Sequence, residues 1–100
     1  MNLSKKSPNH IHFIGIGGSG MSGLAEVLFN LGYEVTGSDI EETETTKRLD
    51  SLGIRIDKDH KISNLDLVDM VVVSSAIDEK NEELKGAHTR SLPVLARAEL

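Results

Sequence analysis

The chain contains no cysteine and no tryptophan, and it has one tyrosine, two phenylalanines and two prolines in 100 residues. Without thiols there is no disulfide and no thiolate metal site, and the redox compartment is left open. With so few aromatics the core must be aliphatic, and a hydrophobic share of 38% can supply one in a single domain. Basic residues are outnumbered, 11 Lys and Arg against 16 Asp and Glu, for a formal net charge of -5 and a pI near 5.3. That balance argues against nucleic acid as a partner, because a phosphate backbone needs a basic face. No apolar run approaches the ~20 residues of a membrane-spanning helix, so no membrane partner is expected. Met1 to His10 is polar, carries Lys5, Lys6 and Pro8, and lacks the apolar segment of a signal peptide. It reads as a disordered leader before one domain over 11–100, and a cytoplasmic location is the simplest expectation. The P-loop pattern GxxxxGK[ST] is missing as well, so no ATP site of that type is expected in these residues.

What the chain does have is concentrated at Ile11 to Met21, which reads I-H-F-I-G-I-G-G-S-G-M. An apolar strand over Ile11–Ile16 runs into Gly15-x-Gly17-x-x-Gly20, and Met21, Leu24, Ala25, Leu28 and Leu31 then recur at helical spacing. In that order each glycine has a purpose: a tight turn, a close approach of backbone to phosphate, and room for the helix to pack on the sheet. Gly18 and Ser19 add amides and a hydroxyl at a helix N-terminus, where unpaired N–H groups and the helix dipole favour an anion. The loop from Gly17 to Met21 is therefore expected to face a phosphorylated ligand. The competing reading makes Ser19 an ordinary helix cap.

Strand and helix go on alternating. Tyr33–Thr36 is a short strand ending at Gly37-Ser38-Asp39, Glu41–Ser51 a helix, and Ile54 and Ile56 flank Arg55 in an edge strand. Leu67–Val73 is almost continuously apolar, as in a strand covered on both faces. Asn81 is a plausible cap for a helix through Ala87, Pro93–Leu95 a last strand, and Arg97 to Leu100 the opening turn of a further helix. The expected fold is a Rossmann-like open parallel α/β sheet of about five strands flanked by helices. Ligands of such sheets sit beyond the carboxyl ends of the strands. Two more loops then matter. Ser38 and Asp39 lie about 20 residues beyond the glycines, where an acid commonly accepts from ribose hydroxyls, although an Asp there also forms turns. Ser74, Ser75 and Ala76 follow the buried strand and leave room for a phosphate or sugar. No catalytic residue is expected here. His12 lies inside the first strand, His10 and His88 read as surface residues and His60 lies closer to the ligand face, and all four are expected to be structural. No histidine spacing resembles a metal site.

The stretch I-H-F-I-G-I-G-G-S-G-M-S-G-L-A-E from Ile11 to Glu26 resembles the opening of the Mur ligase family. The resemblance continues through L-G-Y-E-V-T-G-S-D (Leu31–Asp39), V-V-V-S-S-A-I (Val71–Ile77) and P-V-L-A-R-A-E-L (Pro93–Leu100). Two positions depart from the family pattern: Asp59 stands where a Gly usually precedes the histidine, and Asn81-Glu82-Glu83 replaces Asn-Pro-Glu. The resemblance implies a three-domain cytoplasmic ligase of peptidoglycan synthesis whose first domain holds the UDP part of UDP-N-acetylmuramic acid. ATP and Mg2+ would bind the central domain, and the C-terminal domain would help bind L-alanine. It further implies that Gly17 to Met21 face the diphosphate, that Ser38 and Asp39 lie near the uridine, and that Ser74 to Ala76 lie near the nucleotide or sugar. These residues alone would be inactive. Alternatives are a related recycling ligase that adds a whole peptide to the same nucleotide sugar, and the NAD-binding domain of an oxidoreductase, for which the glycines and Asp39 are equally suitable.

Overall fold

A computed structural model of the chain describes residues 9–97. Residues 1–8 of the expected leader and 98–100 of the expected helical turn lie outside the described residues, while His10, expected to end the leader, opens the first strand. Five strands and three helices alternate: β1 (His10–Ile14), α1 (Met21–Asn30), β2 (Glu34–Ser38), α2 (Glu44–Leu52), β3 (Arg55–Asp57), β4 (Met70–Val73), α3 (Glu82–Thr89) and β5 (Val94–Ala96). All strand pairs are parallel and the order is β3-β2-β1-β4-β5. The sheet is the expected Rossmann-like one, and β3 is at its edge.

Alternation of side chains along the strands builds two cores. Ile11, Phe13, Val35 and Val72 point to one face and pack with Met21 and Ala25 of α1 and Leu49 of α2. Ile14 and Val71 point to the other, against Leu65, Val68, and Leu84 and Ala87 of α3. Gly37 in β2 answers a close approach. A Cβ there would lie 2.5 Å from Ile16 Cδ1 and 2.7 Å from Ile16 Cβ, so the side chain that closes the first core leaves no room for another.

Several boundaries differ from the sequence-based expectation. The first strand starts at His10 and ends at Ile14, because the next two amides turn toward β2. The second strand runs on to Ser38, paired with Ile14 in β1 and Asp57 in β3. The second helix begins at Glu44 instead of Glu41. Thr43 accepts from the Thr46 amide at 3.2 Å while the Thr46 hydroxyl accepts from the Thr43 amide at 2.9 Å, a reciprocal cap that sets the start. The fourth strand is only Met70–Val73, since Leu67 has φ 67° and Ile62–Leu65 forms a 3₁₀ turn. Asn81 caps α3 as expected, its Oδ1 accepting from the amides of Glu83 and Leu84 at 2.8 and 3.1 Å.

Candidate functional site

In this strand order the chain leaves β1 toward β2 on one side and returns to β4 on the other, so the loops after β1 and β4 part and leave a crevice. A cleft of about 250 Å³ opens there, lined by Gly15, Gly17, Gly18, Asp39, His60 and Ser74 among others. A second cleft, of about 180 Å³, lies between α2 and β3 and is lined by Asp39, Glu41, Glu42 and Asp50 with Lys47 and Lys58. Its carboxylates make it a poor host for an anion. The glycine cleft is the better candidate.

The glycine loop is held by its own backbone. Gly15 and Ile16 both donate to the Ser38 carbonyl, at 2.8 and 3.1 Å, and Gly18 donates to the Gly15 carbonyl at 3.0 Å. The Met21 amide donates to the Gly18 carbonyl at 3.0 Å, and the Gly17 amide to Asp39 Oδ2 at 2.9 Å. Of the amides expected to face an anion, those of Gly17, Gly18 and Met21 are thus engaged internally. The exposed Ser19 and Gly20 amides have no acceptor among the described residues. Gly20 is the N-cap of α1 at φ 77°, a conformation that costs an L-residue roughly 1–2 kcal/mol, and no side chain caps this helix. Ser19 is therefore not a helix cap. Arg97 Nε donates to the Gly20 carbonyl at 2.9 Å and pins the loop from β5. The Met21 side chain is buried in the first core, so it anchors the helix and does not reach the cleft.

Of the other expected site residues, Asp39 is placed at the cleft. Its Oδ2 holds Gly17 and its Oδ1 accepts from the Glu41 amide at 3.0 Å, so it forms the turn and braces the glycine loop together. Ser74 lines the cleft and accepts from the Ala76 amide at 3.2 Å, while Ser75 and Ala76 are exposed beside it. Ser38 is different. It is fully buried, and its hydroxyl faces inward, away from any ligand. Side chains alternate along β2, so a residue one position before the exposed turn points into the sheet's second face.

That second face carries a polar chain which the sequence reading did not assemble. His10, His12, Thr36 and Ser38 alternate along β1 and β2 on one face, and all are buried together with Glu83 at the start of α3. His10 was expected at the surface. It is 5% exposed instead, because it opens β1 and its ring is held by Thr36 and the Leu67 carbonyl. His88 is exposed in the last turn of α3, as expected. The Thr36 hydroxyl lies 2.8 Å from both His10 Nε2 and His12 Nδ1 and has one proton to give. His10 Nδ1 donates to the Leu67 carbonyl at 3.2 Å, and burial, partly opposed by Glu34, holds the His10 pKa below its ordinary value. His10 Nε2 and His12 Nδ1 both face that one hydroxyl. His12 Nε2 donates to Glu83 Oε1 at 3.1 Å.

Glu83 is the hub. Ser38 donates to its Oε1 at 2.5 Å, Asn64 Nδ2 and the Lys61 amide (3.3 Å) donate to its Oε2, and His60 Nδ1 lies 3.5 Å from its Oε1. Burial alone pushes this carboxyl's pKa up. The hydrogen bond and charge of His12, with Ser38 and Asn64, more than offset that and hold it below the ordinary range. Because the Ser38 proton goes to Glu83, His60 Nδ1 at 2.8 Å must be the donor to Ser38 Oγ. His60 is half-buried at the cleft, and its Nε2 has no partner among the described residues. The signal that could have exposed this network is four polar residues at alternating positions in strands otherwise apolar.

A parallel sheet with a glycine-rich turn at its switch point defines the chain as a Rossmann-type α/β domain. The model of the Mur ligase family, catalytic domain, matches residues 10–100, and the chain belongs to this family. UDP-N-acetylmuramate–L-alanine ligase of Syntrophus aciditrophicus is 52% identical over 99 residues, covering 99% of this chain and 21% of the relative. The crystal structure of UDP-N-acetylmuramate-alanine ligase from Thermotoga maritima superposes with a TM-score of 0.86 at 41% identity, over 90% of this chain and 21% of that one. UDP-N-acetylmuramate:L-alanyl-gamma-D-glutamyl-meso-diaminopimelate ligase from Neisseria meningitides gives 0.82 at 29% identity, over 91% and 29%. The chain spans about a fifth of the length of the curated relatives it matches.

Proposed function

We propose that this chain is the nucleotide-sugar-binding part of an ATP-dependent ligase that joins L-alanine to UDP-N-acetylmuramic acid in peptidoglycan synthesis in the cytoplasm. The carrying observation is the glycine loop. It places the unpaired Ser19 and Gly20 amides at the start of α1, on the crevice where a parallel sheet receives a ligand. The diphosphate binds these amides and passes over Gly17 and Gly18. Asp39 supports the loop and accepts from the ribose, and Ser74, Ser75 and Ala76 border the sugar side. Ser38 acts from beneath, through His60, and Met21 anchors the helix. The identity gap between the alanine-adding relatives and the peptide-adding structure favours L-alanine as the added group.

ATP and Mg2+ belong to parts of the enzyme outside this chain. The sequence has no P-loop, and no group of three or more His, Asp or Glu is arranged to hold a metal ion among the described residues. The residues present do not fit those groups, so no step of the ATP chemistry is derived from them. No described helix is long and apolar enough to cross a bilayer. The test is a titration of the 15N-labelled chain with UDP-N-acetylmuramic acid and, separately, with NAD. The amides of Gly17 to Met21 and Asp39 should shift on adding the UDP-sugar, with little response to NAD. Saturation by NAD with no response to the UDP-sugar would move the chain to the oxidoreductase reading.

A further inference from the structure

We propose that Glu83 is a positioning residue of the cleft: through Ser38 it fixes the His60 ring in the Nδ1–H form, so that unpaired Nε2 is the nitrogen offered to the ligand. The inference rests on the binding reading above for what the cleft holds, but its chemistry stands on this chain alone. Four donors converge on one side chain: His12 Nε2–H and the Ser38 hydroxyl on Oε1, and Asn64 Nδ2 and the Lys61 amide on Oε2. An ionised carboxylate is acceptor-only and can take all four. It is fully buried, and such a charge persists only when paired and hydrogen-bonded, which His12 and its neighbours supply.

The direction of the Ser38 hydroxyl follows from that charge. With its proton committed to Glu83, Ser38 Oγ has only lone pairs left for His60 Nδ1, 2.8 Å away, and the ring must carry its proton there. The same carboxylate also holds the segment that bears the ring, through the Lys61 amide and Asn64, whose Nδ2 reaches the Asp59 carbonyl at 2.9 Å. Ring tautomer and loop position thus share one anchor. It is joined to α3, and through His12 to the central strand β1, so the cleft residue is set by side chains that never touch the ligand.

The test is a long-range 1H–15N imidazole spectrum of the chain at a pH where His60 is neutral, for the native sequence, Glu83→Gln and Ser38→Ala. The native His60 should show a protonated Nδ1 and a bare Nε2. An amide nitrogen at position 83 turns a donor toward donors, and alanine at 38 removes the acceptor, so both variants should show mixed tautomers. Affinity for UDP-N-acetylmuramic acid should fall roughly tenfold in each. A native His60 protonated at Nε2 would overturn the proposal whatever the variants do. So would a folded Glu83→Gln or Ser38→Ala chain that keeps the native tautomer and affinity, and Ser38→Ala decides if Glu83→Gln fails to fold. If the native chain does not bind the UDP-sugar, the functional reading fails and the tautomers still decide the role of Glu83.

Discussion

Gly18 shows how narrowly one residue is constrained by the site and by its own loop. A Cβ at this position would meet the Gly15 carbonyl oxygen at 3.2 Å and Ser74 Oγ at 3.3 Å, between the two loops that form the cleft. A valine there must move the loop, so alanine is the cleaner probe. Gly18→Ala should weaken UDP-sugar binding about tenfold, near 1.4 kcal/mol, by intruding between the glycine loop and Ser74. Its melting temperature should change little, because the residue lies outside both cores. Calorimetric titration beside thermal unfolding checks this, and unaltered affinity in a stable variant would take Gly18 out of the binding surface. Asp39 is likewise bound twice over, its carboxylate serving both the turn and the glycine loop.

Among the elements, β1, β2 and α3 meet through ionisable side chains, and this makes their packing sensitive to acid. The folded chain holds His10 below its ordinary pKa, so below about pH 6.5 the unfolded chain takes up a proton that the folded one refuses. Stability from this source is present above that pH and is lost as the pH falls. Glu83 is also held low, and its contribution is present above the ordinary carboxylate range near pH 4.3 and lost below it. Both signs agree. The melting temperature should fall from pH 7.5 to 5.5 and fall again toward pH 4. In His10→Gln the first decline should be smaller, although the variant starts from a lower melting temperature. An equal decline between pH 7.5 and 5.5 in both chains would remove His10 as its source.

At the scale of the whole molecule, the proposed role of the domain is to hold a ligand. The cleft brings together the glycine loop, Asp39, His60 and Ser74, and the sequence has no P-loop. The chain as given should release no phosphate from ATP in the presence of UDP-N-acetylmuramic acid and L-alanine. Turnover above a buffer control, checked with a coupled phosphate assay, would show that the site assignment is wrong. The expected sheet is present, and its switch point lies where the glycine loop, Asp39 and Ser74 converge.

By itself the sequence determined the alternation of strand and helix, the parallel sheet, the glycine loop and its place before α1. Each of these is written in neighbouring residues, through spacing, glycine placement and caps such as Asn81. Strand ends were less legible, because they depend on partners distant in the chain: Ile14 stops β1 only because Gly15 and Ile16 turn to the Ser38 carbonyl. Tertiary structure alone decided which amides of the glycine loop stay free, that Ser38 points inward, and that His10 is buried. It alone joined His12, Ser38, His60 and Glu83, which are separated by as many as 71 positions. A buried carboxylate acquires its partners only when sheet and helix close around it, since hydrogen bonds of this kind follow from proximity in space and leave no periodic trace in sequence.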